Sequence, residues 1–298
     1  MIIRAIIILF FLFAGCLAKD TSNTITRRHF NFGHQLGYIY SQMEDAYFEE
    51  AGTWNFQTGF LTYYTSDMPL VRNEKWKKRT MLIIPLYFKY YPTDFLKLEF
   101  DITDLFIEFP YIDHRNMGGK SPRFLAKMRI LEERNYLPAI AFTIGVKFSS
   151  AKPYTIWAND HNYDESNGLA GAGTGVADYL LLFTLSKNLG KFGFLTTRLG
   201  LAPLGSPVEY VRGSAQADEI PYGLSYKKQW NKWSGVLEIS GMYNGLSSTE
   251  LAHYSVARLQ AVRLFKSGSL TLNFEHGLTR ESDEWVAGFY QTFKFRLK

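Results

Sequence analysis

The ten residues FLKLEFDITD, Phe95–Asp104, constrain this chain more than any other stretch. Leu96, Leu98, Phe100 and Ile102 alternate with Lys97, Glu99, Asp101 and Thr103, so an extended backbone there turns one face apolar and the other ionisable. The same period of two returns at Trp285–Leu297. Trp285, Ala287, Phe289, Phe293, Phe295 and Leu297 share one face, broken only by Gln291, and Tyr290, Thr292, Lys294 and Arg296 share the other. It recurs just before that, where Leu270, Leu272 and Phe274 oppose Thr271, Asn273 and Glu275 after an opening Gly268. Such alternation belongs to strands with two chemically different sides, and it runs through most of the chain.

Twelve segments follow the pattern: 54–64, 80–91, 95–104, 123–132, 137–149, 177–187, 191–202, 219–230, 233–243, 254–266, 268–278 and 285–297. Each has roughly the ten residues that a tilted strand needs to cross a bilayer. Tight turns fall at Pro92-Thr93-Asp94, Glu133–Tyr136, Asn188-Leu189-Gly190, Asn231-Lys232 and Ser267. Longer polar connections fall at 65–79, 105–122, 150–176, 203–218, 244–253 and 279–284. Short and long connections alternate, as in outer-membrane barrels with short periplasmic turns and long outer loops. The expected fold is all-β: an antiparallel up-and-down transmembrane barrel of twelve strands over 54–298, with fourteen as the alternative count. Residues 19–53, including a weaker alternating piece at His34–Gln42, fall outside the parity and are expected to form an extension that is periplasmic or tucked into the lumen.

Composition supports lipid as the outer solvent. Aromatic residues make up 16% of the chain, with 24 Phe and 19 Tyr, yet mean hydropathy is only −0.14. After the first residues the longest apolar stretch, near Met81–Phe88, is far short of the ~20 residues that a spanning helix needs. A soluble two-sheet sandwich would also alternate. Aromatic residues at strand ends, Tyr63-Tyr64, Tyr90-Tyr91, Trp230 and Trp233, suit the interfacial girdles of a membrane barrel instead. The net charge of +5 comes from basic residues scattered among acidic ones, which gives no nucleic-acid surface.

The first eighteen residues, MIIRAIIILFFLFAGCLA, have the charge, apolar run and small residues of a secretory signal. Phe13-Ala14-Gly15-Cys16 reads as a lipobox that would put a lipid on Cys16, and Cys16-Leu17-Ala18 as an ordinary cleavage site. Cys16 is the sole cysteine, so no intrachain disulfide forms.

The stretch 160–175, DHNYDESNGLAGAGTG, invites three chemical readings. A phosphate cradle would need a helix after its glycines, and Asp178–Leu185 is strand-like. An EF-hand loop starts with Asp160, Asn162 and Asp164 but places Glu165 where the turn glycine belongs and Gly171 where the closing acid belongs. Asp164–Gly168 resembles the active-site stretch of the outer-membrane phospholipase family, with Asp164 in place of the histidine that should activate Ser166. An aspartate of ordinary pKa is a poor base for a serine, and His161 lies five positions upstream. The stretch reads best as an extracellular loop. The six histidines show no metal-ligand spacing, and no cofactor is expected.

Several segments resemble known families. Leu137–Phe148, then Gly173-Thr174-Gly175 with Asp178 and Leu185–Gly190, and Ile84–Leu86 through Pro92–Glu99 resemble bacterial outer-membrane transporter barrels linked to the degradation of aromatic compounds such as phenol. Phe124–Ile144 resembles exopolysaccharide-associated barrel lipoproteins, toward which Cys16 also leans. The likeness implies a barrel in the bacterial outer membrane, surrounded by its lipids and assembled by the barrel machinery. It carries no catalytic motif.

In a barrel the residues opposite the greasy face point inward: Lys89, Lys97, Glu99, Asp101, Lys127, Arg129, Lys147, Arg198, Glu238, Arg258, Asn273, Glu275, Lys294 and Arg296. They would set solute selectivity in a passive channel or uptake protein for small, including hydrophobic, solutes. Alternatively they form neutralising ion pairs that fill a narrow lumen, as in a structural or export-assisting lipoprotein for envelope polysaccharide. Trp54, Trp230, Trp233 and Trp285 are expected to anchor at the membrane interfaces.

Overall fold

The computed structural model describes residues 43–66, 79–101, 105–110, 116–119, 122–148, 177–203, 219–244, 252–279, 282 and 284–296. Their strands are β1 (Thr53–Thr65), β2 (Arg79–Ile84), β3 (Leu86–Thr93), β4 (Leu96–Asp101), β5 (Leu105–Pro110), β6 (Asn116–Gly119), β7 (Arg123–Leu131), β8 (Ala139–Lys147), β9 (Asp178–Asn188), β10 (Phe194–Leu201), β11 (Ile220–Trp230), β12 (Trp233–Asn244), β13 (Ala252–Phe265), β14 (Gly268–Gly277) and β15 (Trp285–Arg296). A 3₁₀ turn at Gly190–Phe192 joins β9 to β10.

Twelve of these strands close on themselves. From β7 to β15 each strand pairs with the next, β7 pairs with β4, β4 with β3 and β3 with β1, and β15 returns to β1 from Thr53↔Arg296 to Tyr64↔Trp285. Every described pairing is antiparallel, and the ring has no open edge, the condition that lipid imposes on backbone N–H and C=O groups. The twelve-strand count is therefore the right one. Taking strands ~4.8 Å apart and tilted ~40°, the wall encloses a cylinder ~24 Å across between backbones.

Two differences from the sequence reading have physical causes. The segment expected at 80–91 is split at Pro85, which lacks the N–H that a ladder needs. The two pieces nonetheless keep one register along β1, from Thr58↔Leu86 to Leu61↔Ile83. Residues 105–122, expected to be a loop, contain β5 and β6. There β5 pairs with β2 and β6 with β5, lengthening the neighbouring hairpins. Local composition, with Pro110 and two glycines, masked a pairing whose partner lies more than twenty residues upstream. The other long connections, including 160–175, and the piece at His34–Gln42 lie mostly or wholly outside the described residues.

The barrel is inside-out relative to a soluble protein. Phe100, Ile144, Phe183, Leu199, Leu237, Leu259, Leu272, Phe274, Phe289 and Phe293 are exposed on the outer wall, whereas Lys97, Lys127, Lys147, Arg198, Glu238, Arg258 and Glu275 are buried. Aromatic rings mark both rims of the apolar band. At the short-turn end Trp54 stacks on Tyr90, and Trp230 and Trp233 face each other across the turn at Asn231-Lys232, where Asn231 takes the left-handed conformation (φ 54°). At the other end Tyr64 stacks on Trp285. From Trp54 to Tyr64 the strand rises ~33 Å, which a ~40° tilt projects to ~25 Å, the height of the apolar band on such barrels.

Candidate functional site

Register assembles the inner wall. On one side Glu238 stands opposite Arg258, and Arg258 opposite Glu275. Arg258, wholly enclosed, donates from Nε to Glu275 (2.9 Å) and from Nη1 to Glu238. Ser240 donates to Glu238 (2.7 Å), and Asn273 donates to Glu275 (2.9 Å) while accepting from Gln260 (2.9 Å). Across the lumen, Arg123 pairs with Asp101 directly opposite it. These wall cations thus meet acids on the wall itself.

The lysines of β3, β4 and β7 are arranged differently. Lys97 stands opposite Lys127 in the ladder, and Lys89 lies opposite Glu99 on the next strand. Two cations facing each other across a ladder repel. Glu99 relieves part of this, at 2.9 Å from Lys97 and 3.9 Å from Lys89. The rest comes from outside the wall: Glu44 meets Lys89 through Oε1 and Lys97 through Oε2, and lies 3.9 Å from Lys127. Burial alone would raise the Glu44 pKa, but the ammonium groups of Lys89, Lys97 and Lys127 outweigh it and hold its carboxyl well below the usual carboxylate range.

Glu44 belongs to residues 43–52, which run from the start of β1 into the lumen. The segment is pinned residue by residue. At the rim Gly52 N–H donates to Tyr91 O (2.8 Å), Ala51 N–H donates to Asp94 (2.9 Å), Glu50 pairs with Arg296 and Glu49 with Lys294. Phe48 sits edge-on to Tyr91 beneath the Arg129 guanidinium, 5.7 Å from the ring. Tyr47 donates its hydroxyl to Glu133 and packs edge-on to Phe194. Ala46 is enclosed against Ala139 and Ala141 and donates its N–H to Ser186 (2.7 Å). Lys127 donates to the Asp45 carbonyl, and Met43 N–H reaches Glu238 (3.2 Å). Met43 Sδ occupies the space that a side chain on Gly223 would need. The segment therefore touches β3, β4, β7–β12 and β15, spanning the lumen between opposite walls.

At the turn between β7 and β8, Glu133 gathers Tyr47, Lys187 (2.8 Å) and the Asn188 N–H (3.1 Å). Burial would raise its pKa; the hydrogen bonds from Lys187 and Tyr47 lower it on balance. Burial, reinforced by Glu133, pushes the Tyr47 hydroxyl upward.

Of the residues expected to face inward, Lys97, Asp101, Lys127, Lys147, Arg198, Glu238, Arg258, Asn273 and Glu275 are buried on the inner wall. Lys89 and Glu99 join the Glu44 cluster, Arg129 covers Phe48, and Lys294 and Arg296 sit at the rim. Sequence reasoning missed Arg123, Glu219, Glu133 and the acids of the segment. It also missed two apolar inward clusters, Leu61, Tyr63, Ile83, Val286 and Tyr290 on one wall and Leu180, Leu182, Ala202 and Met242 on another. Cys16, His161 and Ser166 lie outside the described residues.

No family model matches the chain, and no match is found among curated proteins. Among solved structures the chain is similar to an outer membrane channel from Pseudomonas putida F1, with a TM-score of 0.62 and 14% identity over 85% of this chain and 99% of that one. Looser likenesses are to the translocator domain of the autotransporter NalP from Neisseria meningitidis (TM-score 0.41, 11% identity, 84% of this chain and 90% of that one) and to OmpT, an outer membrane protein of Vibrio cholerae (TM-score 0.36, 9% identity, 84% and 99%). At such identities the likeness is one of fold. A closed ring of twelve antiparallel strands with a greasy outside, aromatic rims and an ionisable inside is an outer-membrane β-barrel.

Proposed function

We propose that the protein is a passive outer-membrane channel or uptake barrel for small solutes, whose route passes the charged inner wall and residues 43–50. One observation carries this reading: the wall charges surround a separate segment of chain rather than packing wholly against one another. The likeness to a channel barrel agrees. The inward apolar clusters beside the ionisable ones fit solutes with both an apolar body and a polar end. Planar-bilayer recording and liposome swelling with the refolded full chain test the proposal. Discrete conductance steps are expected, and a folded barrel that passes neither current nor solute would overturn it.

A second reading keeps the lumen closed, as in a structural or export-assisting lipoprotein for envelope polysaccharide. The occupancy of the lumen by residues 43–50 favours it, and lipidation at Cys16 with no conductance under any condition would decide for it.

A further inference from the structure

Two groups of inner-wall cations are held differently. Arg258 and Arg123 are met by acids on neighbouring strands of the same wall. Lys89, Lys97 and Lys127 are not: three ammonium groups share one wall acid, Glu99, and need Glu44 from the inserted segment. With Glu44 in place three cations meet Glu99 and Glu44, and Asp45 of the same segment acts on Lys127; without Glu44, Lys89 and Lys97 keep only Glu99 among the acids in contact with them. Lys97 and Lys127 are each only 4% exposed and face each other in the ladder, so their charges cannot spread into bulk water. Such an arrangement is unfavourable unless an anion occupies it. The anion present is a single carboxylate held by two ammonium groups with a third nearby, which is how a carboxylate ligand would be held.

We infer that Lys89, Lys97 and Lys127 form a binding site for the carboxylate of a small organic anion, and that Glu44 is its built-in occupant, displaced when the anion arrives. This rests on the channel reading and adds the charge class of the solute. Glu44 is suited to exchange because it stands on the inserted segment, not on a barrel strand, and a third of its side chain is exposed. Its departure would cost the barrel wall no backbone hydrogen bond. The remaining pins of the segment, Ala46 to Ser186 and Tyr47 to Glu133, would keep it in the barrel while Glu44 swings away.

The experiment compares the refolded full chain with Glu44→Gln in detergent micelles, by calorimetric titration of succinate with sodium chloride as the control salt. Glutamine keeps the shape and removes the competing charge, so succinate should bind at least tenfold tighter to Glu44→Gln than to the unaltered chain. Adding Lys97→Gln and Lys127→Gln should abolish the gain. Those two changes relieve repulsion, so the triple variant should keep its sheet circular dichroism. Equal succinate affinity in the unaltered chain and Glu44→Gln would overturn the inference, as would a gain that survives loss of both lysines or is matched by chloride alone. If Glu44→Gln does not fold, the Lys97→Gln/Lys127→Gln pair in the unaltered background decides: succinate affinity must fall at least tenfold, and unchanged affinity refutes the site. Binding and conduction are read separately. Tight succinate binding in a barrel that never conducts would retain the site and refute the channel; a conducting barrel with no such binding would do the reverse.

Discussion

Replacing Arg258 with methionine tests how dry the inner wall is. Arg258 is wholly enclosed and bonded to two carboxylates, Glu238 and Glu275, which stand directly opposite it on the flanking strands. Methionine fills much of the volume but leaves two anions facing one another across the empty position. Each keeps a neutral donor, Ser240 or Asn273, so desolvation is not total. Removing one partner of a buried pair costs ~3–5 kcal/mol, or two to four powers of ten in the folding constant. Urea unfolding in lipid vesicles, followed by tryptophan fluorescence, measures it. The triple change Arg258→Met, Glu238→Gln and Glu275→Gln should recover part of the loss, because it removes the two facing anions while also taking from the buried Arg198 the charge of Glu238. A loss under ~1 kcal/mol would mean that lumen water screens this pair as it does a surface one, and the account of a dry, charge-matched cluster around Arg258 would be wrong.

Three shorter tests follow from the same geometry. Leu259, one residue from Arg258, is exposed on the outer wall with Leu237 and Phe274 opposite it; Leu259→Arg should cost ~2–4 kcal/mol in bilayers by the same urea assay. The Glu44 carboxyl, facing Lys89, Lys97, Lys127, Glu99 and Tyr91, has its pKa lowered in the folded barrel. Its contribution is therefore complete above the ordinary value of 4.5 and is lost as pH falls through the depressed one. Channel conductance should rise only in acid, once pH has fallen below that ordinary value of 4.5. Glu133→Gln removes the charge that orders Tyr47 and Lys187 at the short-turn rim; protease cleavage within residues 43–52 should accelerate several-fold, with the barrel strands unaffected.

Strands and facing were legible because both follow from local rules. A period of two fixes which residues share a face, and turn residues such as Asn231 punctuate it. Pairing over long sequence distance was not legible. The β5 and β6 segments read as loop because their partners lie elsewhere, and residues 43–52, MEDAYFEEAG, carry no period at all. Their placement depends on bonds such as Met43 to Glu238, 195 residues apart. One signal was nevertheless available. The residues assigned to the lumen from alternation comprised nine cations, Lys89, Lys97, Lys127, Arg129, Lys147, Arg198, Arg258, Lys294 and Arg296, against the acids Glu99, Asp101, Glu238 and Glu275. A buried wall with that imbalance must find anions elsewhere, and Glu44, Asp45, Glu49 and Glu50 stand just before the first strand.

The seat of the segment makes a sharper demand than its charges do. At this level β8 turns two successive inward alanines, Ala139 and Ala141, toward Ala46, Tyr47 and Phe48. Ala141→Leu would push three extra carbons into filled space. If the segment were an integral layer of the barrel, overpacking should destabilise the whole by ~1–3 kcal/mol. If it is a separable insert, the strands should hold, the unfolding midpoint should move by less than ~1 kcal/mol, and the insert should yield instead. Loss of the Glu44 contacts would then raise conductance and expose 43–52 to protease. The two outcomes part the readings cleanly: a destabilised barrel that stays closed makes the segment part of the wall, whereas a stable barrel that opens makes it a movable occupant of the lumen.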